Sequence, residues 1–143
     1  MEKLAFGFNH DSEFYQDSMP FEGAGWLNVS AEENGAACRA RFWTERAKMQ
    51  DFVAAIVEKA STSEYPIDLR WHDELEERAF HLRIEECERS GELKVQLHVY
   101  RGADRRELYC WSFATSHSDL RAFNSAMVDM VNKRRSRAVL NGW

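Results

Sequence analysis

The pair Asn34-Gly35 constrains this chain more than any other feature. Both central residues of a two-residue type I′ hairpin turn need positive φ, and Asn followed by Gly is the preferred solution. With those two as the loop, Glu33 pairs with Ala36 and every pairing outward from there is set. Ala31 faces Cys38, Val29 faces Ala40 and Leu27 faces Phe42, all apolar. The other face sets Ser30 opposite Arg39, Asn28 opposite Arg41 and Trp26 opposite Trp43. Since a one-residue slip would exchange the two faces, this alternation fixes a half-buried hairpin.

Helical spacing follows at once. Met49, Phe52, Val53, Ile56 and Ala60 recur at steps of three and four, which predicts a helix over residues 45–60 with one stripe on a core. Thr44 stands where an N-cap is expected. Ile67, Leu69 and Trp71 then alternate with Asp68, Arg70 and His72, the pattern of a strand, and Asp73 to Glu77 reads as an acidic connection. Phe80, Leu82 and Ile84 alternate next, then Leu93, Val95, Leu97 and Val99. A two-residue turn at Ser90-Gly91 would set Ile84 opposite Leu97 and Leu82 opposite Val99. On the reverse face it would set His81 opposite Tyr100 and Arg83 opposite His98. Gly102 to Arg105 is the next expected loop.

The stretch from Glu107 to Thr115 is apolar on both sides, and an internal repeat resolves it. Phe42-Trp43-Thr44 aligns with Phe113-Ala114-Thr115 at an offset of 71 positions. Met49 then matches Leu120, Phe52 matches Phe123, Ala55 matches Ala126, Ile56 matches Met127 and Val57 matches Val128. The alignment turns Tyr109, Trp111 and Phe113 toward the helices and Cys110 away from them. Ser116 and Asp119 resemble a capping box for a second helix, ending near Lys133. Leu4, Phe6 and Phe8 predict an edge strand, and residues 9–25 a long loop anchored by Phe14 and Phe21. The basic tail from Asn132 to Arg137 suits a helix C-terminus, where cations complement the dipole. The expected fold is a single α+β domain over residues 1–143, with two hairpin-plus-helix units. They would form one antiparallel sheet of about six or seven strands with both helices on one face.

Composition narrows the function. A net charge of −5 argues against a nucleic-acid partner. No apolar run nears the roughly 18 residues of a membrane span, and no basic-then-apolar leader opens the chain, so a cytoplasmic protein is expected. Cys38, Cys87 and Cys110 are odd in number and far apart, which fits reduced thiols, not a disulfide framework. Asn28-Val29-Ser30 matches a glycosylation triplet but is discounted without an export signal. Neither a Gly-x-Ser-x-Gly elbow nor a Gly-rich phosphate loop is present, so no catalytic residue is assigned. His72, His81 and His98 share one face, as a zinc site would need. A cation at Arg83 opposite His98 would oppose a divalent metal, however, so neither metal nor cofactor is expected. Acidic pairs such as Glu85-Glu86 and Asp73-Glu74 read as a solvated edge, because adjacent strand residues point to opposite faces.

What remains is the sheet face away from the helices, carrying Trp26, Trp43, Arg41, His81, His98 and Tyr100. Trp, Tyr and Arg are enriched at protein-binding hot spots, so these six are the candidate protein-binding residues. The runs Trp26-Leu27-Asn28-Val29, Ala79-Phe80-His81-Leu82-Arg83-Ile84 and Ser90-Gly91-Glu92-Leu93, with Phe113 to Val131, resemble small bacterial immunity proteins of the WapI family. The resemblance covers roughly residues 26–131 and lies in spacing, so it transfers no site residue. It implies a non-enzymatic cytoplasmic protein that binds and neutralises a cognate toxin domain. Two other readings stand beside it. A dimeric acidic secretion chaperone would make the chain a homodimer, although such chaperones usually begin with a helix. A small-ligand carrier or enzyme would need a cavity between sheet and helices, which inward Phe and Trp argue against.

Overall fold

Alternating residues carry much of this chain into strands, and the two helical stripes form the helices between them. The computed structural model describes residues 2–10, 24–73, 77–102, 104, 106–132 and 136–143. In chain order the elements are β1 (Glu2–His10), β2 (Ala24–Glu33), β3 (Ala36–Glu45), α1 (Arg46–Ser61) and β4 (Ile67–Asp73). They are followed by β5 (Arg78–Glu86), β6 (Leu93–Arg101), β7 (Arg106–Thr115), α2 (His117–Val131) and β8 (Arg137–Asn141). The α+β class is as expected. The single sheet is not: the strands form two four-stranded antiparallel sheets, β3-β2-β1-β8 and β4-β5-β6-β7.

The order of strands explains the division. Two units of the same plan follow one another, β1-β2-β3-α1-β4 and β5-β6-β7-α2-β8. Each unit pairs its own first three strands and places its fourth in the other unit's sheet, β4 beside β5 and β8 beside β1. The repeat at offset 71 is therefore longer than hairpin plus helix, because Ile67 and Leu69 of β4 correspond to Ala138 and Leu140 of β8. β8 is a strand beyond the expected elements, because the basic tail that suits a helix C-terminus also leads into it. For the same reason β1 is an inner strand, flanked by β2 and β8, and not an edge.

The Asn34-Gly35 hairpin forms in the expected register, with Leu27 opposite Phe42 and Trp26 opposite Trp43. Asn34 has φ 51° and Gly35 φ 80°, the left-handed pair that the turn requires. The second hairpin keeps its parity but shifts by two residues, Ile84 facing Val95 and His81 facing His98. Its loop is four residues long, closed by Cys87 N–H to Glu92 O at 2.8 Å and Gly91 N–H to Cys87 O at 3.1 Å. Gly91 at φ 69° takes the left-handed position at the end of that loop.

Thr44 does not cap α1. It lies buried inside β3, and Glu45 occupies the N-cap position without a side-chain cap bond. Ser116 does cap α2, accepting from Asp119 N–H at 3.0 Å while its hydroxyl donates to Asp119 Oδ2 at 2.9 Å. The helices run antiparallel. Arg46 at the start of α1 donates from Nε to the carbonyl of Val131, the last residue of α2, at 2.8 Å. A cation there also meets the negative end of the α2 dipole.

The sheets meet at two related corners. Trp43 N–H donates to Asp73 Oδ2 at 2.5 Å, so Asp73 is a buried structural acceptor and not part of a solvated edge. At the equivalent corner Thr115 donates to Asn141 O at 2.6 Å, and Trp143 N–H to Ala114 O at 3.0 Å. A Cβ on Gly142 would lie 2.5 Å from Ala114 O, so this approach needs a glycine.

One core joins both sheets and both helices. Phe6 of β1 is fully buried at its centre, with its ring 5.7 Å from Phe80 of β5, 5.7 Å from Phe123 of α2 and 6.0 Å from Phe52 of α1. The first two contacts are edge-to-face, the arrangement that the ring quadrupoles favour. Tyr109 has the expected parity but is 40% exposed, because the first half of β7 runs beyond the core. The loop expected over residues 9–25 is shorter, since Asn9 and His10 belong to β1 and Ala24 and Gly25 to β2; its remainder, with Phe14 and Phe21, lies outside the described residues, as do residues 74–76, 103, 105 and 133–135.

Phe6→Ala should remove the contact common to both sheets and both helices and cost about 3–5 kcal/mol of unfolding free energy in urea denaturation. A loss below about 1.5 kcal/mol would mean that the layers are held together elsewhere.

Candidate functional site

The six residues expected to share one face are divided between two. Trp26, Arg41 and Trp43 lie on the outer face of the β3-β2-β1-β8 sheet, since Leu27 and Phe42 between them point into the core. Trp26 and Trp43 meet edge-to-face with centroids 5.1 Å apart. The Arg41 guanidinium sits 4.1 Å above the Trp26 ring, a cation–π contact worth about 0.5–1 kcal/mol at the surface.

His81, His98 and Tyr100 lie on the outer face of the other sheet, behind Phe80, Leu82, Leu97 and Val99. The true register puts His81 directly across from His98, with ring centroids 5.9 Å apart and nearly parallel. Tyr100, two residues further along β6, lies nearly parallel to His98 with centroids 6.2 Å apart. Arg83, displaced by the same two-residue shift, faces Gln96 and not His98. Its guanidinium is occupied by Asp68 at 3.0 Å and by a close contact to Glu85. Arg83 therefore does not stand across from His98, where it would oppose a metal.

Asp68 also accepts a close hydrogen bond from His81 Nε2, which fixes the ring. Burial acts to raise the Asp68 carboxyl, but His81 and Arg83 outweigh it and hold the carboxyl below its ordinary value. In the neighbouring row Ala79 lies between His72 and Tyr100. Its small side chain leaves a hollow of about 300 Å³ lined by Arg70, His72, Ala79, His81 and Tyr100. That volume is at the lower end for ligand pockets and suits one inserted side chain.

Two further residues complete the face, and neither was named as a candidate from the sequence. Cys110 pairs with His98, its Sγ 4.0 Å from Nε2. Glu107 reaches the face through a β-bulge: Val99 pairs with Tyr109 and Tyr100 with Glu107, so Leu108 is the extra residue. Without that bulge, strict alternation would put Glu107 on the opposite side from Cys110. Glu107 Oε2 lies 3.5 Å from His98 Nδ1, and this buried nitrogen makes no hydrogen bond of acceptable geometry. Burial, then the Glu107 charge, pushes the Cys110 thiol above its usual pKa. The outward parity of Cys110 was legible in the repeat, whereas the bulge leaves no pattern in a sequence.

No known family model matches this chain, and no curated protein matches it in sequence either.

The Asp68 pairs carry a pH dependence of definite sign. A carboxyl depressed in the folded state contributes stability above the unfolded value of about 3.9, and loses it as pH falls through the lower folded value. Asp68→Asn should cost about 1 kcal/mol or less at pH 7, since the group is partly exposed. Its unfolding free energy should then fall less steeply than that of the wild type between about pH 5 and pH 2. Parallel profiles in urea melts across that range would remove the assigned role.

Proposed function

We propose that this chain is a protein-binding module that neutralises a cognate bacterial toxin domain, and that it acts by occupying its partner and not by catalysis. The observation that carries the reading is the hollow at Ala79. It is open on the outer face of the second sheet, with Tyr100 and His81 as aromatic walls and Arg70 on its lining. Hot spots of protein interfaces are pockets of this kind, filled by one anchoring side chain of the partner and rich in Tyr and Arg. An acidic or aromatic anchor suits the lining best, because Arg70 supplies charge-assisted hydrogen bonds and the rings supply flat apolar area.

Two other features support this reading. The surrounding face is held in place before any partner arrives, by the His81–His98–Tyr100 stack and the Asp68 contacts, so little side-chain freedom is lost on binding. The inner faces of both sheets and the helices are engaged in one core that includes Phe6, Phe42, Phe52, Phe80 and Phe123. That favours an outer-surface role over a carrier's cavity between sheet and helices. The spacing resemblance to WapI-type immunity proteins supplies the toxin as the class of partner. The Trp26–Trp43–Arg41 cluster, on the other sheet, is a separate patch in this scheme.

Co-expression with a toxin domain encoded beside this chain should restore growth and yield a one-to-one complex on size exclusion. Tyr100→Ala should weaken that complex by about 30-fold, equivalent to about 2 kcal/mol. Ala79→Trp, which fills the hollow, should do at least as much, with circular dichroism unchanged for both. Failure of rescue together with absence of a complex would end this reading, and a complex indifferent to both variants would move the interface elsewhere.

A further inference from the structure

The outer face of the second sheet contains a cluster that shares only His98 with the protein-binding reading. His98 of β6 and Glu107 and Cys110 of β7 each bring one donor atom within 4.8 Å of the others. We infer that His98, Glu107 and Cys110 form a binding site for one borderline-soft divalent cation of the zinc class.

The donor set selects the cation. A thiolate, an imidazole nitrogen and a carboxylate oxygen are the three ligand types of zinc sites, and a thiolate disfavours Mg²⁺ and Ca²⁺. Charge balances as well, since a thiolate and a carboxylate together neutralise a dication. Zinc bonds of about 2.0–2.3 Å in tetrahedral array place neighbouring donors about 3.3–3.7 Å apart. The 3.5 Å between His98 Nδ1 and Glu107 Oε2 already meets this spacing. Cys110 Sγ now lies nearer the other ring nitrogen, 4.0 Å from Nε2, with all three donors within 4.8 Å, so a side-chain rotation of Cys110 has to bring the thiolate to the nitrogen that Glu107 faces.

The imidazole is prepared for the role. His98 Nδ1 is buried without a hydrogen bond, the condition in which a ring nitrogen costs most and gains most from a ligand. His98 lies nearly parallel to Tyr100 and close to parallel to His81, with centroids 6.2 Å and 5.9 Å away, and Asp68 anchors His81. These neighbours limit the rotamers open to the His98 ring. Three protein ligands leave a fourth position for water or for a partner's side chain, on the same face as the Ala79 hollow. Arg83, which would repel a cation, is held by Asp68 and Glu85.

The test uses the full chain, stripped with chelator and kept reduced, with Zn²⁺ and Co²⁺ alone as probes. Competition against a chromogenic chelator should show one bound Zn²⁺ per chain. Co²⁺ should give a sulfur-to-cobalt charge-transfer band. Cys110→Ser should abolish that band, and Cys110→Ser, His98→Gln and Glu107→Gln should each weaken Zn²⁺ by about tenfold or more. Cys87→Ser, which removes another accessible thiol, should leave both readings unchanged. Circular dichroism guards against loss of fold in every variant. No stoichiometric Zn²⁺ in the wild type, a band that survives Cys110→Ser, or a band lost in Cys87→Ser would each overturn the site. None of these readings depends on a toxin, so the metal site and the proposed function fail separately.

Discussion

Strand exchange between the two units is the constraint on which the rest of this structure depends. β1 cannot complete its sheet without β8, and β5 cannot complete its own without β4, so neither unit closes alone. Phe6 sits on the strand that pairs with β8, against one aromatic ring from the other sheet and one from each helix. Fixing it ties both sheets and both helices together. The corners at Trp43–Asp73 and at Trp143–Ala114 then hold the ends of the sheets together with short polar contacts. Inner faces are thereby committed to packing, and chemistry is left to the outer faces.

Local patterns in the sequence were informative to the extent that a local cause set the structure. Asn34-Gly35 determined ten cross-strand pairs, because the turn type and the alternation of faces agree. The helical stripes and the Ser116 cap followed from spacing and hydrogen-bond chemistry of the same local kind. The Ser90-Gly91 hairpin shows the limit. Parity was correct because a shift of two preserves the faces, but loop length was not readable, since Gly91 serves a four-residue loop as well as a two-residue one. Division into two sheets was less legible still. It depends on where β4 and β8 go, and pairing between distant strands leaves no trace in either segment. The repeat carried that information in part, because Ile67 and Leu69 match Ala138 and Leu140 at the same offset.

For the candidate site the two-residue error had a chemical consequence. With Arg83 opposite His98, a cation would stand where a metal should bind. With His81 there instead, the row across the sheet reads Arg70, His81, His98, Cys110, and Arg83 is neutralised by carboxylates at its own end. Register, not composition, decides whether these imidazoles face a repulsive neighbour. The bulge at Leu108 then adds Glu107, which alternation alone would have turned away.

Comparison of the two units gives this placement its physical sense. At offset 71 the inward residues correspond in kind, Phe42 with Phe113 and Phe52 with Phe123, because both must fill the same core. Outward residues are free of that demand. Arg39 is the counterpart of Cys110, and it pairs with Ser30, whereas Cys110 pairs with His98. One scaffold thus presents a tryptophan–arginine cluster on one outer face and a histidine–tyrosine–thiol cluster on the other. Since packing requires neither cluster, the residues that distinguish the two faces are the ones whose chemistry is available for recognition, and the histidine–tyrosine–thiol face is the one that also carries the Ala79 hollow.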